Sequence, residues 1–479
     1  MASSAPVATS CDEVSSLPPE VWLLIFQYLE RDYLRDIRLT CRQWMQLVDQ
    51  TKSLRAAFCV VFRSCTMDRK FNPRNLYPAA LYAEVDNVRL VAITGTWWST
   101  FGAILTRLDF RGCRIALPEL WALLSGTPNL EELILIVNKY QLAPEPTDLS
   151  WKLEKLKSLS CDAIFDTFGR ICPRLEVLML PNYGKTRGYA KLCHLLDSVQ
   201  GTLKTLGCYF TPDTVKQIAG MSRLKLTCVL HRGKGGTAVE LSRLQPSIED
   251  LKVSFVSTKD LCEIGRNLPN LQHIRITTCK NKSLFLPSFL ANMPQLKGLS
   301  ITAGSERSIN FAEFKAPLLK ALRLELFRIE SSGWRHFLAN CPNLEMNDLT
   351  DCTLASWSEV FDPQPQSLSY LRLEKVCISQ NTPSTISGKR TFNLKELHLL
   401  CCDDIPSAIV QQLLPRVRRR VSLYCDGELQ LRRRFYFGAT SAAEEAAHSS
   451  LCPVGCFSAG RHRLPPMPFK TYGYIGLAL

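Results

Sequence analysis

A few stretches of this 479-residue sequence hold side chains whose type and spacing could do chemistry. "HRGKGGT" at 231–237 sets glycines around a lysine, the composition of a backbone cradle for phosphate. It lacks the Gly-x-x-x-x-Gly-Lys-Ser/Thr spacing of such a cradle and reads as a connecting loop. His448, Cys452, Cys456 and His462 offer four zinc-type ligands, but at irregular intervals in an Ala-, Ser- and Pro-rich tail, so no metal is assigned to them. "RVRRR" (416–420) and "LRRRF" (431–435) hold seven arginines, suited to a solvated domain end, to nuclear import or to an acidic partner. The seven histidines are scattered, and no Ser/His/Asp or Cys/His set falls on one site. The chemistry expected is recognition, with no catalytic centre and no cofactor.

Bulk composition narrows the partners. Lys and Arg number 58 against 44 Asp and Glu, a net charge of +14, which favours acidic or phosphorylated partners or nucleic acid. A hydrophobic fraction of 46% with 21% charged residues is that of a folded protein. Residues 1–16 have neither the basic start nor the apolar run of a signal peptide. No segment reaches the roughly 18–20 apolar residues of a membrane span; the nearest, Leu90 to Thr106, is diluted by Gly, Ser and Thr. The expectation is a cytoplasmic and/or nuclear protein, not bound to membrane, with its 20 cysteines reduced.

The elements that must position a recognition surface repeat along the chain. The frame L-x-x-L-x-L recurs from "LTRLDFRGC" at Leu105 through "LEELILIVN" at Leu130, "LEKLKSLSC" at Leu153 and "LKALRLELF" at Leu319 to "LKELHLLCC" at Leu394, with a period of roughly 24 residues. One degenerate copy lies around "SRLKLTCVL" (222–230). Leucines at positions 1, 4 and 6 face inward around a short strand, and stacked coils make one continuous core. Position 9 must satisfy backbone groups where the chain bends; Cys stands there at 113, 161, 279, 352 and 402. Phrases such as "TPNL", "CPRL" and "LPNL" mark the turn that leaves a helix on the outer side. Positions 3, 5 and 7 point out from the strands. Position 5 carries Lys252, Arg275, Arg323 and Arg372, a strip suited to an acidic or phosphorylated segment. Near the start Ile134, Ile136, Leu159, Met179 and Tyr209 form an apolar stretch suited to an anchor. The competing reading is a strand face charged for solubility.

Before the repeats, "LPPEVWLLIFQYLERDYLRDIRLTCRQW" (17–44) predicts short amphipathic helices. Pro18, Pro19 and Glu20 suit a helix start, and Leu34, Ile37, Cys41, Trp44 and Val48 recur at intervals of 3 and 4 with a possible kink near Leu39–Thr40. About 40 residues seldom make a stable core alone. This segment resembles an F-box, from its Leu-Pro start to its Cys-Arg-x-Trp end. Joined to Cys-rich, helix-backed repeats, it is similar to the F-box/leucine-rich-repeat proteins, substrate receptors of SCF-type ubiquitin ligases. The resemblance implies an α/β fold in which a small helical F-box (15–56) follows a flexible N-terminus (1–14). A linker (57–87), a leucine-rich-repeat solenoid of about 13 repeats (88–430) and a basic then disordered tail (431–479) complete the expected plan.

It also implies a non-catalytic subunit that binds the Skp adaptor, and through it cullin and RING subunits, by Leu17, Pro18, Glu20, Ile25, Phe26, Leu29, Leu34, Cys41 and Trp44. The repeats would then hold a protein substrate for ubiquitination. Two rivals stand beside it: an F-box scaffold acting outside the ligase, and a basic RNA-associated repeat protein, disfavoured because the repeat face lacks the interleaved aromatics that stack bases.

Overall fold

The computed structural model describes residues 17–434 except 30, 74–75, 78, 93–95, 142–148, 164–165, 182–188, 279–285, 310, 312–315, 330, 362–364, 380–393, 403–404, 406–419 and 426–427. Cys279, residues 416–419 of the first arginine run, the His/Cys set at 448–462 and the tail after 434 therefore lie outside the described residues. The chain divides into two compact units, Met1–Leu203 and Lys204–Leu479.

The first unit opens with four helices: α1 (Pro19–Gln27), α2 (Arg31–Thr40), α3 (Arg42–Gln50) and α4 (Lys52–Arg55). Proline and Glu20 occupy the first turn of α1, where a missing N–H is harmless and a carboxylate faces the positive end of the helix. The expected kink falls at Cys41, whose extended backbone (φ −151°, ψ 163°) separates α2 from α3. Three rings form the small core: Trp44 lies 4.7 Å from Trp22 and 5.5 Å edge-on from Phe26. Arg38 forks onto Asp49 at 2.8 and 3.0 Å and covers the ring of Tyr77 at 4.6 Å, while the Tyr77 hydroxyl donates to Asp49. Burial raises the Asp49 carboxyl, but these two donors outweigh it and hold the group below its ordinary range. Arg55 Nε donates to the Ala79 carbonyl at 2.7 Å, so the helices are fastened to the following segment.

That segment is not a linker. Strands β1 (Cys59–Arg63), β2 (Thr66–Met67), β3 (Tyr82–Asp86) and β4 (Arg89–Leu90) precede β5 (Arg107–Ala116), β6 (Glu132–Gln141), β7 (Ser158–Cys161) and β8 (Val177–Met179). Among the described residues these strands pair with one another in parallel. Val60 pairs with Ala83 and Ala83 with Leu108, and Phe62, Val85 and Phe110 form the next row. The coils thus begin near 57 instead of 88, hidden because Val, Ala and Phe replace the diagnostic leucines. The coil at 153 also needs a correction. Leu133 pairs with Leu159, so its frame starts at Leu156, and Leu159 takes the inward fourth position, fully buried. Ser160 stands at position 5, and Cys161 faces the core at position 6.

In the second unit β9 (Thr205–Tyr209), β10 (Cys228–Arg232), β11 (Asp250–Ser254), β12 (His273–Thr277), β13 (Gly298–Ile309) and β14 (Ala321–Ile329) run parallel in sequence order. They continue through β15 (Met346–Thr350), β17 (Tyr370–Glu374), β19 (Glu396–Leu400) and β20 (Arg420–Cys425), with β16 (Thr353–Leu354) and β18 (Cys377–Ile378) as a short second row. The final strand, β21 (Glu428–Arg434), folds back antiparallel on β20, so part of the second arginine run is strand instead of tail. Between strands the chain returns through helices such as Gly235–Leu244 and Thr258–Asn267, which bury Ala238, Leu241, Leu261 and Ile264.

One turn recurs at the end of the strands. Position 8 is left-handed at Ser64, Asn87, Gly112, Phe255, Leu326, Asp351, Lys375 and Cys401, with φ between 50° and 65°. Its N–H reaches across to the seventh-position carbonyl of the next strand: Asn87 to Arg111 at 2.8 Å, Phe255 to Thr277 at 2.9 Å, Asp351 to Glu374 at 2.8 Å. The ninth-position thiol donates back to the sixth-position carbonyl of the preceding strand, Cys113 to Val85 at 3.1 Å, Cys352 to Leu324 at 3.6 Å and Cys402 to Leu373 at 3.5 Å. Burial pushes the Cys352 thiol up to about 12, so it remains a neutral donor.

Two inward positions break the apolar rule. Asn347 takes the fourth position between Leu322 and Leu371, fully buried, and neither its amide oxygen nor its nitrogen meets a partner. His231 takes the sixth position, stacked 5.1 Å on Phe210 with Nε2 2.9 Å from Thr237 Oγ1. Asn347→Leu is expected to raise unfolding stability by about 1–3 kcal/mol, the cost of an unsatisfied buried amide, readable in urea melts. Burial lowers His231 from 6.5 to about 4. The unfolded chain therefore binds the extra proton first, so the stability due to neutral His231 is intact above pH 6.5 and is lost as pH falls towards 4, by about 2 kcal/mol at pH 5. Urea midpoints of wild type and His231→Leu at pH 7 and pH 5 check this: the variant should lose less.

Candidate partner-binding surfaces

The outward face of the second unit is a grid fixed by strand register. The position 5 column reads Gly207, Leu230, Lys252, Arg275, Ser300, Arg323, Asp348, Arg372, His398. The recurrence anticipated from sequence is real, and the four cations do align. They are not equally available. Asp348, wholly buried between two of them, lies 3.7 Å from Arg323 and 3.6 Å from Arg372. Glu374 also binds Arg372, and Glu325 lies 4.0 Å from Arg323. Burial raises the Asp348 carboxyl above its ordinary value, against the pull of both guanidiniums. Arg275 sits 3.5 Å from Asp250. Arg323 and Arg372 are therefore half-buried members of an internal charge network, which corrects the expectation that all four offer free charge.

Lys252 differs. Among the described residues no carboxylate pairs with it. Burial lowers its ammonium below the ordinary value, and Arg275, Arg232 and Arg323 press in the same direction. This corner of the face holds net positive charge, beside the outward hydroxyl residues Ser254 and Thr277.

The apolar stretch does not come together as expected. In the first unit Leu159 faces the core and Ile134 is buried, leaving Ile136 and Met179 half-exposed. Tyr209 belongs to the second unit and is exposed there. The neighbouring fifth position, Asp109, is buried and held by Arg111 at 2.8 Å. Sequence reasoning missed Phe255 and set Lys234 aside as part of a connecting loop; with Tyr209, Gly233, Gly235, Gly236 and Asp260 they line a cleft of about 460 Å³. The period pattern gives no sign of it, because Phe255 sits at position 8, which contributes neither to the core nor to the strand face.

At the N-terminal helices, apolar side chains crowd the surface. Tyr28 is 89% exposed, Leu39 72% and Leu24 57%, with Leu17, Ile25 and Tyr33 also exposed. So much apolar area on so few residues is the mark of a face made to be covered. Residues 14–60 match the family model described as F-box-like. The N-terminal segment is an F-box-like domain. Of the nine F-box residues singled out from sequence, Leu17, Pro18, Glu20 and Ile25 are exposed, and Leu29, Cys41 and Trp44 are half-buried. Phe26, at 1% exposure, and Leu34 lie in the F-box-like domain's own core, beneath the exposed apolar face instead of on it. Leu24, Tyr28, Tyr33 and Leu39 belong to the exposed set that the sequence reading left out.

After the F-box the chain has a leucine-rich-repeat fold. Structures similar to it include a TLR13–ssRNA13 complex (14% identity, 78% of this chain and 60% of that one, TM-score 0.48). An internalin from Listeria monocytogenes (15%, 74% and 90%, 0.38) and a Leptospira interrogans LRR protein (15%, 78% and 91%, 0.40) are also similar. The chain spans under two thirds of the first of these. No curated protein matches the chain. Among the described residues, no group of three or more His, Cys, Asp or Glu is placed to hold a metal ion, and no helix is long and apolar enough to cross a membrane.

The charge network makes a measurable distinction. Arg372→Glu sets a new carboxylate against buried Asp348 and should cost about 3–5 kcal/mol, as when one member of a buried pair is removed. Lys252→Glu instead places a carboxylate among Arg232, Arg275 and Arg323 and should leave the thermal midpoint unchanged or raise it. Equal loss in both variants would show that the two cations share one environment.

Proposed function

We propose that this chain is a substrate-recognition subunit of an SCF-type cullin-RING ubiquitin ligase. The F-box binds the Skp adaptor, and the adaptor links it to cullin and RING subunits. The repeats hold a protein substrate, acidic or phosphorylated, for ubiquitination by the enzyme that the assembly carries. The chain itself contributes proximity and orientation and no bond-making group. The observation that carries this reading is the exposed apolar face of Leu17, Leu24, Ile25, Tyr28 and Leu39 on a segment that matches the F-box-like model. Cys113, Cys161, Cys208 and Cys352 are buried as single thiols, in keeping with action in the cytoplasm or nucleus.

The docking face and its support make separable predictions. Ile25→Asp, on an exposed residue, should leave the melting temperature unchanged and weaken Skp adaptor binding by about 2–4 kcal/mol. Phe26→Ala should instead lower stability by about 3–5 kcal/mol, the range for emptying a buried aromatic site. Adaptor affinity and thermal melts on the purified chains read both; wild-type affinity in Ile25→Asp removes the adaptor assignment. Co-purification of cullin with the adaptor then separates a ligase receptor from an F-box scaffold. Salt-dependent RNA binding would turn the reading toward a nucleic-acid partner.

A further inference from the structure

The left-handed turn at position 8 exposes an anomaly. Positive φ is tolerated by Gly and Asn and is costly for bulky side chains. Ser64, Asn87, Gly112, Asp351, Lys375 and Cys401 suit the site or are small or flexible. The bulky exceptions are Leu326, half-buried, and Phe255, a residue 55% exposed at φ 61°. Phe255 therefore carries backbone strain with little burial to offset it, a combination that concentrates at binding sites. With exposed Tyr209, Gly233, and Gly235 and Gly236 at the start of the helix Gly235–Leu244, it lines the 460 Å³ cleft. A side chain at Gly235 would collide with Asp260, whose carboxylate is already engaged by the Ser257 N–H and hydroxyl at 2.8 and 2.7 Å. The cleft lies at the ends of β9, β10 and β11, the last two of which carry Arg232 and Lys252 of the positive corner. Arg232 pairs in register with Tyr209, and Lys252 on β11 stands three residues before Phe255, which follows the end of that strand.

We propose that this cleft anchors an acidic peptide segment of a protein partner, seating one bulky apolar side chain between Tyr209 and Phe255 while a carboxylate nearby pairs with Lys252. Three residues of strand span about 10 Å at roughly 3.3 Å each, so an extended ligand places the carboxylate about three residues from the anchor. The cations spread over adjacent strands about 4.8 Å apart instead of converging on one point, which suits separate carboxylates better than a single phosphate. Lys252, with cations as its electrostatic neighbours, gains most from an incoming acid. The inference deepens the substrate-binding role proposed above for the repeats and is independent of the F-box.

Selection of a displayed random nonapeptide library on the full-length chain tests it. Enriched peptides should carry an aromatic or large aliphatic residue with Asp or Glu two to four positions away. The most enriched peptide, synthesised with a fluorophore, should bind Phe255→Asn about tenfold or more weakly. Lys252→Ser should weaken it about five- to tenfold. Asn suits the left-handed backbone, so both variants should keep the wild-type melt and wild-type Skp adaptor binding. Absence of enrichment, enrichment without the acid-and-apolar pair, or binding indifferent to both substitutions overturns the proposal. So does a phosphoserine peptide binding tenfold more tightly than its glutamate counterpart, or a random RNA oligonucleotide binding through the same two residues. Loss of adaptor binding by the wild-type chain would remove the ligase role and leave peptide recognition standing.

Discussion

The repeat region depends on one constraint: each coil must turn from strand to return segment without abandoning a backbone polar group in the core. A leucine frame supplies apolar filling but no hydrogen bonds, so it cannot make that turn alone. The left-handed eighth residue and the ninth-position thiol answer it together. One sends its N–H forward to the next strand, and the other donates backward to the preceding one. At Asp351 and Cys352 the two bonds together stitch three consecutive coils at one point, and strand register follows. Once Leu322, Asn347 and Leu371 must lie side by side, so must Arg323, Asp348 and Arg372. The outward face is thus dictated by the inward one.

Aligned columns bring like charges within one strand spacing of each other, and the chain resolves this with buried acids. Asp348 between two arginines is the clearest case, and the fit is imperfect, since burial holds its carboxyl above the ordinary range despite both partners. A buried pair of this kind adds little stability but fixes where the side chains point. Lys252 has no such acid among the described residues, and the same column therefore contains a locked region and a receptive one. Periodicity shows that a charge exists; only the register of neighbouring columns shows whether it is already spent.

This explains which features the sequence revealed. Inward leucines, the Cys-bearing turns at 113, 352 and 402, and the F-box signature are local patterns, and each could be read one segment at a time. The coils at 57 and 80 escaped because Val60, Phe62, Ala83 and Val85 fill the same space without the leucine mark. The three-residue error at Leu153 arose because both Leu153 and Leu156 can begin the frame, and pairing with Leu133 decides between them. The same error turned Leu159 from a core residue into a surface candidate. Phe26 and Leu34 were assigned to docking for a related reason: helical spacing identifies an apolar stripe but not which part of a two-sided stripe meets the protein's own core.

The F-box shows the consequence of that two-sidedness. Its helices close only part of a core: Trp22, Phe26 and Trp44 meet one another, and Arg38, Asp49 and Tyr77 bind the helices to the first coils. What remains apolar on α1 and α2 has no covering element among the described residues of this chain. Fastening through Tyr77 and Ala79 leaves that face outward while removing freedom from the helices beneath it. An apolar face held this way would lose less conformational entropy on being covered than a free helix would. The strained, exposed Phe255 follows the same logic on the repeats. In both places apolar surface is held in position by a hydrogen-bonded framework that does not itself require a partner.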